Sequence, residues 1–162
     1  MSKNYRLIKS NKEFSPVDVS GIFSDKQVPD AYIELLEIVN GIVLYNLLPA
    51  VNYSTRYGDD STLVTALYGI NVEDADYDLV SVRQRLLELS EDIELDTDRY
   101  FPVGEDEAGN LLVIPYQDTG DCPVFLYHYE TGDTYLISKS LRDFISPLVE
   151  QVREDTTSNH GT

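Results

Sequence analysis

The chain has 162 residues, 42% of them hydrophobic, with one cysteine and 29 acids against 12 lysines and arginines, a formal net charge of −17. That length suits one domain with an ordinary core. The charge repels phosphate backbones and disfavours anionic membrane surfaces as partners. No run of eighteen apolar residues marks a spanning helix, and the basic start MSKNYRLIKSNKEF lacks the apolar stretch of a signal peptide. The lone Cys122 fits a reducing compartment, so a soluble cytoplasmic protein is expected.

The first helix is predicted in VPDAYIELLEIVNG. Pro29 and Asp30 suit its start, Tyr32, Leu35, Leu36 and Val39 recur at helical spacing, and Asn40-Gly41 offers a left-handed stop. Two β-branched, apolar strands are expected next, Ile42–Leu48 and Ser61–Ile70, separated by a polar loop. Tyr53 and Tyr57 in that loop read as exposed, and although interfaces favour tyrosine the sequence leaves open whether either joins one. DYDLVSVRQRLLELSED predicts a second helix with Leu79, Val82, Leu86 and Leu89 as its buried stripe. Then come GEDEAGN, read as a turn shaped by Gly104 and Gly109, and three strands at Leu111–Tyr116, Val124–Tyr129 and Thr134–Ile137. The hairpin linker Glu130–Asp133 is too short for anything but antiparallel neighbours. Val124–Tyr129 is apolar on both faces, which places it centrally in a sheet. The last helix opens at Ser140, with Asp143 three residues on as a variant capping box, and Pro147 should kink or break it. The end, EDTTSNHGT, has no apolar anchor, so residues 154–162 read as a disordered tail that gives His160 no fixed site. The fold class is α+β, a single domain with an antiparallel sheet and helices packed mainly on one face.

Catalytic and metal chemistry fail one test after another. With Gly109 at the sixth position of a calcium loop, Gly104, Ala108 and Pro115 fall where oxygen ligands are needed. The adjacent acids Glu105, Asp106 and Glu107 sit in an apparent turn, all hydrated, and lack the opposed environments of an acid–base pair. Cys122 has no basic neighbour in sequence to activate it, His128 lies in a predicted strand, and no phosphate-binding or nucleophile-elbow motif occurs. No cofactor, metal or catalytic residue is expected.

The acids are clustered. Between positions 73 and 107 thirteen acids face only Arg83, Arg85 and Arg99. Glu73, Asp74, Asp76, Asp78, Glu105, Asp106 and Glu107 are the candidates for an acidic partner-binding face, and a basic protein is the partner such a face would attract.

The helix ending in Asn40-Gly41, then FPVGEDEAGNLLVI, PVFLYHYETGD and the closing SLRDFISPL follow one another in an order and spacing that resemble the SUKH superfamily. This group of bacterial immunity proteins is related to cell-wall-assembly regulators of the Smi/Knr type. The resemblance implies one SUKH-like domain over residues 1–153. It also implies that the protein binds and neutralises a cognate toxin, often a nuclease, with no active site of its own. The alternative it leaves open is a non-catalytic intracellular scaffold or regulator of the Smi/Knr type. An acidic mimic of DNA is a third possibility. The segment Asn71–Asp98 is longer and more acidic than the family pattern, so partner specificity is expected there.

Overall fold

The computed structural model describes residues 4–23, 25–89, 91–118 and 120–160, with residues 159 and 160 described as backbone only. In chain order the elements are β1 (Tyr5–Leu7), α1 (Pro16–Ile22), α2 (Asp30–Ile38), β2 (Ile42–Leu44), β3 (Val51–Thr55), β4 (Gly58–Thr62), β5 (Val64–Leu67), a 3₁₀ turn (Ala75–Tyr77), α3 (Leu79–Glu88), β6 (Tyr100–Asp106), β7 (Leu111–Pro115), β8 (Val124–Tyr127), β9 (Thr134–Ser138) and α4 (Leu141–His160). Seven strands form one sheet in the order β1-β2-β5-β6-β7-β8-β9, and every neighbouring pair is antiparallel. The fold is therefore α+β. β7 lies deep in this sheet, and its Leu111, Leu112, Val113 and Ile114 are all buried, as a strand covered on both faces requires.

Alternation across β6 and β7 sorts the two faces. Phe101 pairs with Ile114 and Gly104 with Leu112 on one face, whereas Glu105 pairs with Leu111 on the other. A bulge between Pro102 and Gly104 sets this phase. On the first face Tyr32 of α2 meets Phe101 edge-on at 5.3 Å, and Phe23, just past α1, meets it at 5.1 Å. α4 lies beside α2, and Arg142 forks onto Glu34 at 2.9 and 3.0 Å. The backbone carbonyl of Ala66 crosses so near Gly104 that a Cβ there would sit 2.4 Å away, so only glycine fits.

Local chemistry explains where the structure departs from expectation. Asn46 adopts φ 64°, so the predicted strand Ile42–Leu48 ends at Leu44. The expected strand Ser61–Ile70 divides between β4 and β5, which belong to different sheets. The loop before it is a hairpin, β3 with β4, whose polar alternation (VNYST, GDDST) hides its strand period. Tyr53 is consequently buried, its ring 5.2 Å from Tyr135, whereas Tyr57 at the turn is 83% exposed. α1 is short, and its signal is confined to Ser15-Pro16 and Asp18, whose carboxylate accepts from the Ser15 amide at 3.0 Å. β8 stops at Tyr127 and is next to the edge of the sheet, not at its centre; His128 falls in the turn beyond it, where its amide donates to Asp133 at 2.9 Å.

The closing helix runs through Pro147 without interruption. Its cap is half of the expected box: Ser140 Oγ accepts from the Asp143 amide at 3.0 Å, but the Ser140 amide turns to Ser138 Oγ at 3.2 Å. The expected tail is also helical as far as His160. Tyr5 from β1 donates to Asp155 at 2.5 Å, and Gln151 and Thr156 add bonds one turn away along the helix. The His160 side chain and residues 161 and 162 lie outside the described residues.

Candidate interaction surface

The helix start at Asp78 and the turn after β6 decide which of the seven candidate acids reach solvent. Asp78 caps α3: its carboxylate accepts from Ser81 N, Ser81 Oγ and Val72 N, each at 3.2 Å, and is buried in doing so. Asp106 is only 3% exposed. It accepts from Thr62 Oγ1 at 2.8 Å, Ala108 N at 3.0 Å, Asn110 N at 2.7 Å and Asn110 Nδ2 at 3.2 Å. Both acids are held as structural staples, which corrects their expected place on an acidic face. From sequence, Glu105 and Asp106 are expected in the turn. In fact β6 continues through both, and the turn occupies the residues after Asp106, with Gly109 at φ 83°.

Of the others, Glu73 is exposed and within 3.6 Å of Lys9, and Asp74 is exposed and accepts from the Asp76 amide at 3.0 Å. Asp76 is exposed and 3.6 Å from Arg85, and Glu107 is exposed at the hairpin turn. Glu105 is half-buried, and burial holds its carboxyl above the usual carboxylate range; the neighbouring Tyr68 hydroxyl and Arg85 oppose that rise, while Asp76 and Asp106 add to it.

Glu105 and Asp76, distant in sequence, line one open cleft of about 420 Å³ with Tyr68, Tyr77, Val82, Arg85, Leu86, Leu89, Leu111 and Tyr129. α3 supplies one wall. β5, β6 and β7 bring Tyr68, Glu105 and Leu111 to the other. Tyr129 is held at the rim by its amide, which donates to Asn110 Oδ1 at 3.2 Å, and by its ring against Tyr127 at 5.3 Å. Leu89, expected in the buried stripe of the second helix, is instead half-exposed at this rim. Burial raises the phenols of Tyr68, Tyr77 and Tyr129, so all three are neutral donors at physiological pH. The cleft tyrosines and Arg85 were missed in the sequence because an aromatic at a strand end reads as ordinary core; only the pairing of β5 with β6 sets Tyr68 beside Glu105.

The chain's one thiol sits elsewhere and is poorly placed to react. Cys122 is buried, and burial with Asp121 nearby pushes its thiol up to about 12. Among the described residues no group of three or more His, Cys, Asp or Glu is arranged to hold a metal ion, and no helix is long and apolar enough to cross a membrane.

The class is thus an antiparallel α+β domain with a tyrosine-lined cleft that carries Asp76, Glu105 and Arg85. The chain belongs to the SMI1/KNR4 family (SUKH-1), whose family model matches residues 24–146. Domains of this family are generally non-enzymatic and of the immunity-protein kind. No curated protein matches the chain.

Proposed function

We propose that this protein is a cytosolic immunity protein that binds a cognate, basic protein toxin and neutralises it by covering the toxin's working surface. The observation that carries this reading is the set of exposed acids, Asp74, Asp76 and Glu107 with half-buried Glu105, carried by a SUKH-1 domain of net charge −17. A nuclease toxin suits such a cover because a surface that holds phosphates must be basic. Long-range attraction between the two would raise the association rate by roughly 10–10³ at low salt. Asp78 and Asp106 are no part of this surface, because their oxygens are committed within the fold.

The test is co-expression with candidate toxin domains taken from the neighbouring genes, scoring growth and complex formation together. Rescue of growth with a stable complex is the expected result. Complex formation without protection would instead favour a scaffold or regulator of the Smi/Knr type, and protection against unrelated nucleases would favour a general mimic of DNA.

A further inference from the structure

Glu105 is a half-buried carboxylate that the fold compensates only in part, through the Tyr68 hydroxyl and the more distant Arg85. Among the described residues no ion pair reaches its carboxylate, although it is half-buried. The Tyr68 hydroxyl stands beside it, and the cation of the same cleft, Arg85, is spent at the rim on Asp76, 3.6 Å away. A carboxylate drawn partly out of water calls for a countercharge. Around it the lining is aromatic and aliphatic: Tyr77 is half-buried and Tyr129 and Leu89 are exposed at the walls, while Tyr68, Leu86 and Leu111 lie buried at the base. Rings attract a cation over their faces, and apolar walls accept the methylene stem behind it. The volume of about 420 Å³ falls within the roughly 300–1,000 Å³ typical of ligand pockets.

We propose that this cleft is the anchor pocket for a single arginine side chain of the protein partner, with the guanidinium on Glu105 and the stem between Tyr68, Tyr77 and Tyr129. Arginine fits better than lysine because its planar fork meets a carboxylate with two parallel hydrogen bonds and also stacks on tyrosine. An anionic occupant is disfavoured because Asp76 and Glu105 outnumber Arg85. Arginine and tyrosine are also the residues that most often dominate binding energy at protein interfaces. This assignment rests on the toxin-binding reading above and names the chemistry by which the partner is gripped.

The test separates the two. N-acetyl-arginine amide is titrated into the full chain while the tyrosine ring resonances are followed by NMR, with the neutral N-acetyl-citrulline amide as control. Shifts confined to Tyr68, Tyr77 and Tyr129, absent with citrulline and about tenfold weaker in Glu105→Gln, are expected. Equal responses to the two compounds, responses elsewhere on the surface, or an unchanged response in Glu105→Gln would overturn the pocket. Glu105→Gln should melt at or above the wild-type temperature, since it removes a half-buried charge, so lost binding is not lost folding. With the toxin domain, wild-type protection that is retained equally by Glu105→Gln and Tyr129→Ala overturns the anchor and leaves the toxin reading standing. Absence of wild-type protection sinks the toxin reading, and the arginine titration then decides the pocket alone.

Discussion

Replacing Asp106 with asparagine should destabilise the protein by about 2 kcal/mol, because one carboxylate here serves four donors. Asparagine keeps a single oxygen, enough for the amides of Ala108 and Asn110. Its NH₂ must then take the place of the oxygen that accepts from Thr62 Oγ1 and Asn110 Nδ2. The Thr62 hydroxyl can rotate and accept, but Asn110 Nδ2 would face another donor. Flipping Asn110 to relieve the clash would break its bond to the Tyr129 amide. One bond is thus lost outright and two lose their charged acceptor, and hydrogen bonds to charged groups are worth about 1.5–3 kcal/mol. For a domain of this size the melting temperature moves about 2–4 °C per kcal/mol, so a drop of roughly 4–8 °C is expected in calorimetry or circular dichroism. An unchanged melting temperature would refute the staple. A variant that melts like the wild type yet loses partner affinity would return Asp106 to the interface.

Three further outcomes follow from the same geometry. Gly104→Ala places a Cβ 2.4 Å from the Ala66 carbonyl oxygen and 2.9 Å from Leu67 Cδ2, so overpacking should cost about 1–3 kcal/mol, read by urea denaturation; wild-type stability would refute the close approach. Cys122 has its thiol raised from 9.0 to about 12 by burial first and Asp121 second. Its neutral form is favoured in the fold, so its contribution to stability is complete below pH 9 and lost as pH rises towards 12; native protein should resist Ellman's reagent at pH 8, and prompt labelling would contradict the burial. Reversing the charge at Asp74, Asp76 and Glu107 together should leave the melting temperature nearly unchanged and slow association with a basic partner by about tenfold or more at low salt, an effect that fades as salt rises; a salt-independent or unchanged on-rate in stopped flow would remove these acids from the steering surface.

The sequence could reveal only what is encoded locally. Helix α2, with its Pro29-Asp30 start and Asn40-Gly41 stop, and the antiparallel run through β7, β8 and β9 follow from periodicity and from linkers too short for a crossover. Hairpin β3–β4 escaped because its two strands bury little more than Tyr53 and Thr62, leaving no apolar alternation to read. The end of α4 escaped because Tyr5, which holds Asp155, comes from the opposite end of the chain.

The acids mark the same boundary. Composition alone shows that this protein is strongly anionic, and residue order shows that its acids cluster between positions 73 and 107, because neither a sum of charges nor their spacing along the chain needs a fold. Which acids face a partner was decided only by tertiary structure. The pairing of β5, β6 and β7 turns Asp106 inward onto Thr62 and Asn110, and a helix start consumes Asp78. The same pairing leaves Glu105 beside Tyr68 in a cleft closed by α3. Adjacent residues on a strand point to opposite faces, so neighbours with the same charge in sequence can have opposite fates in the fold.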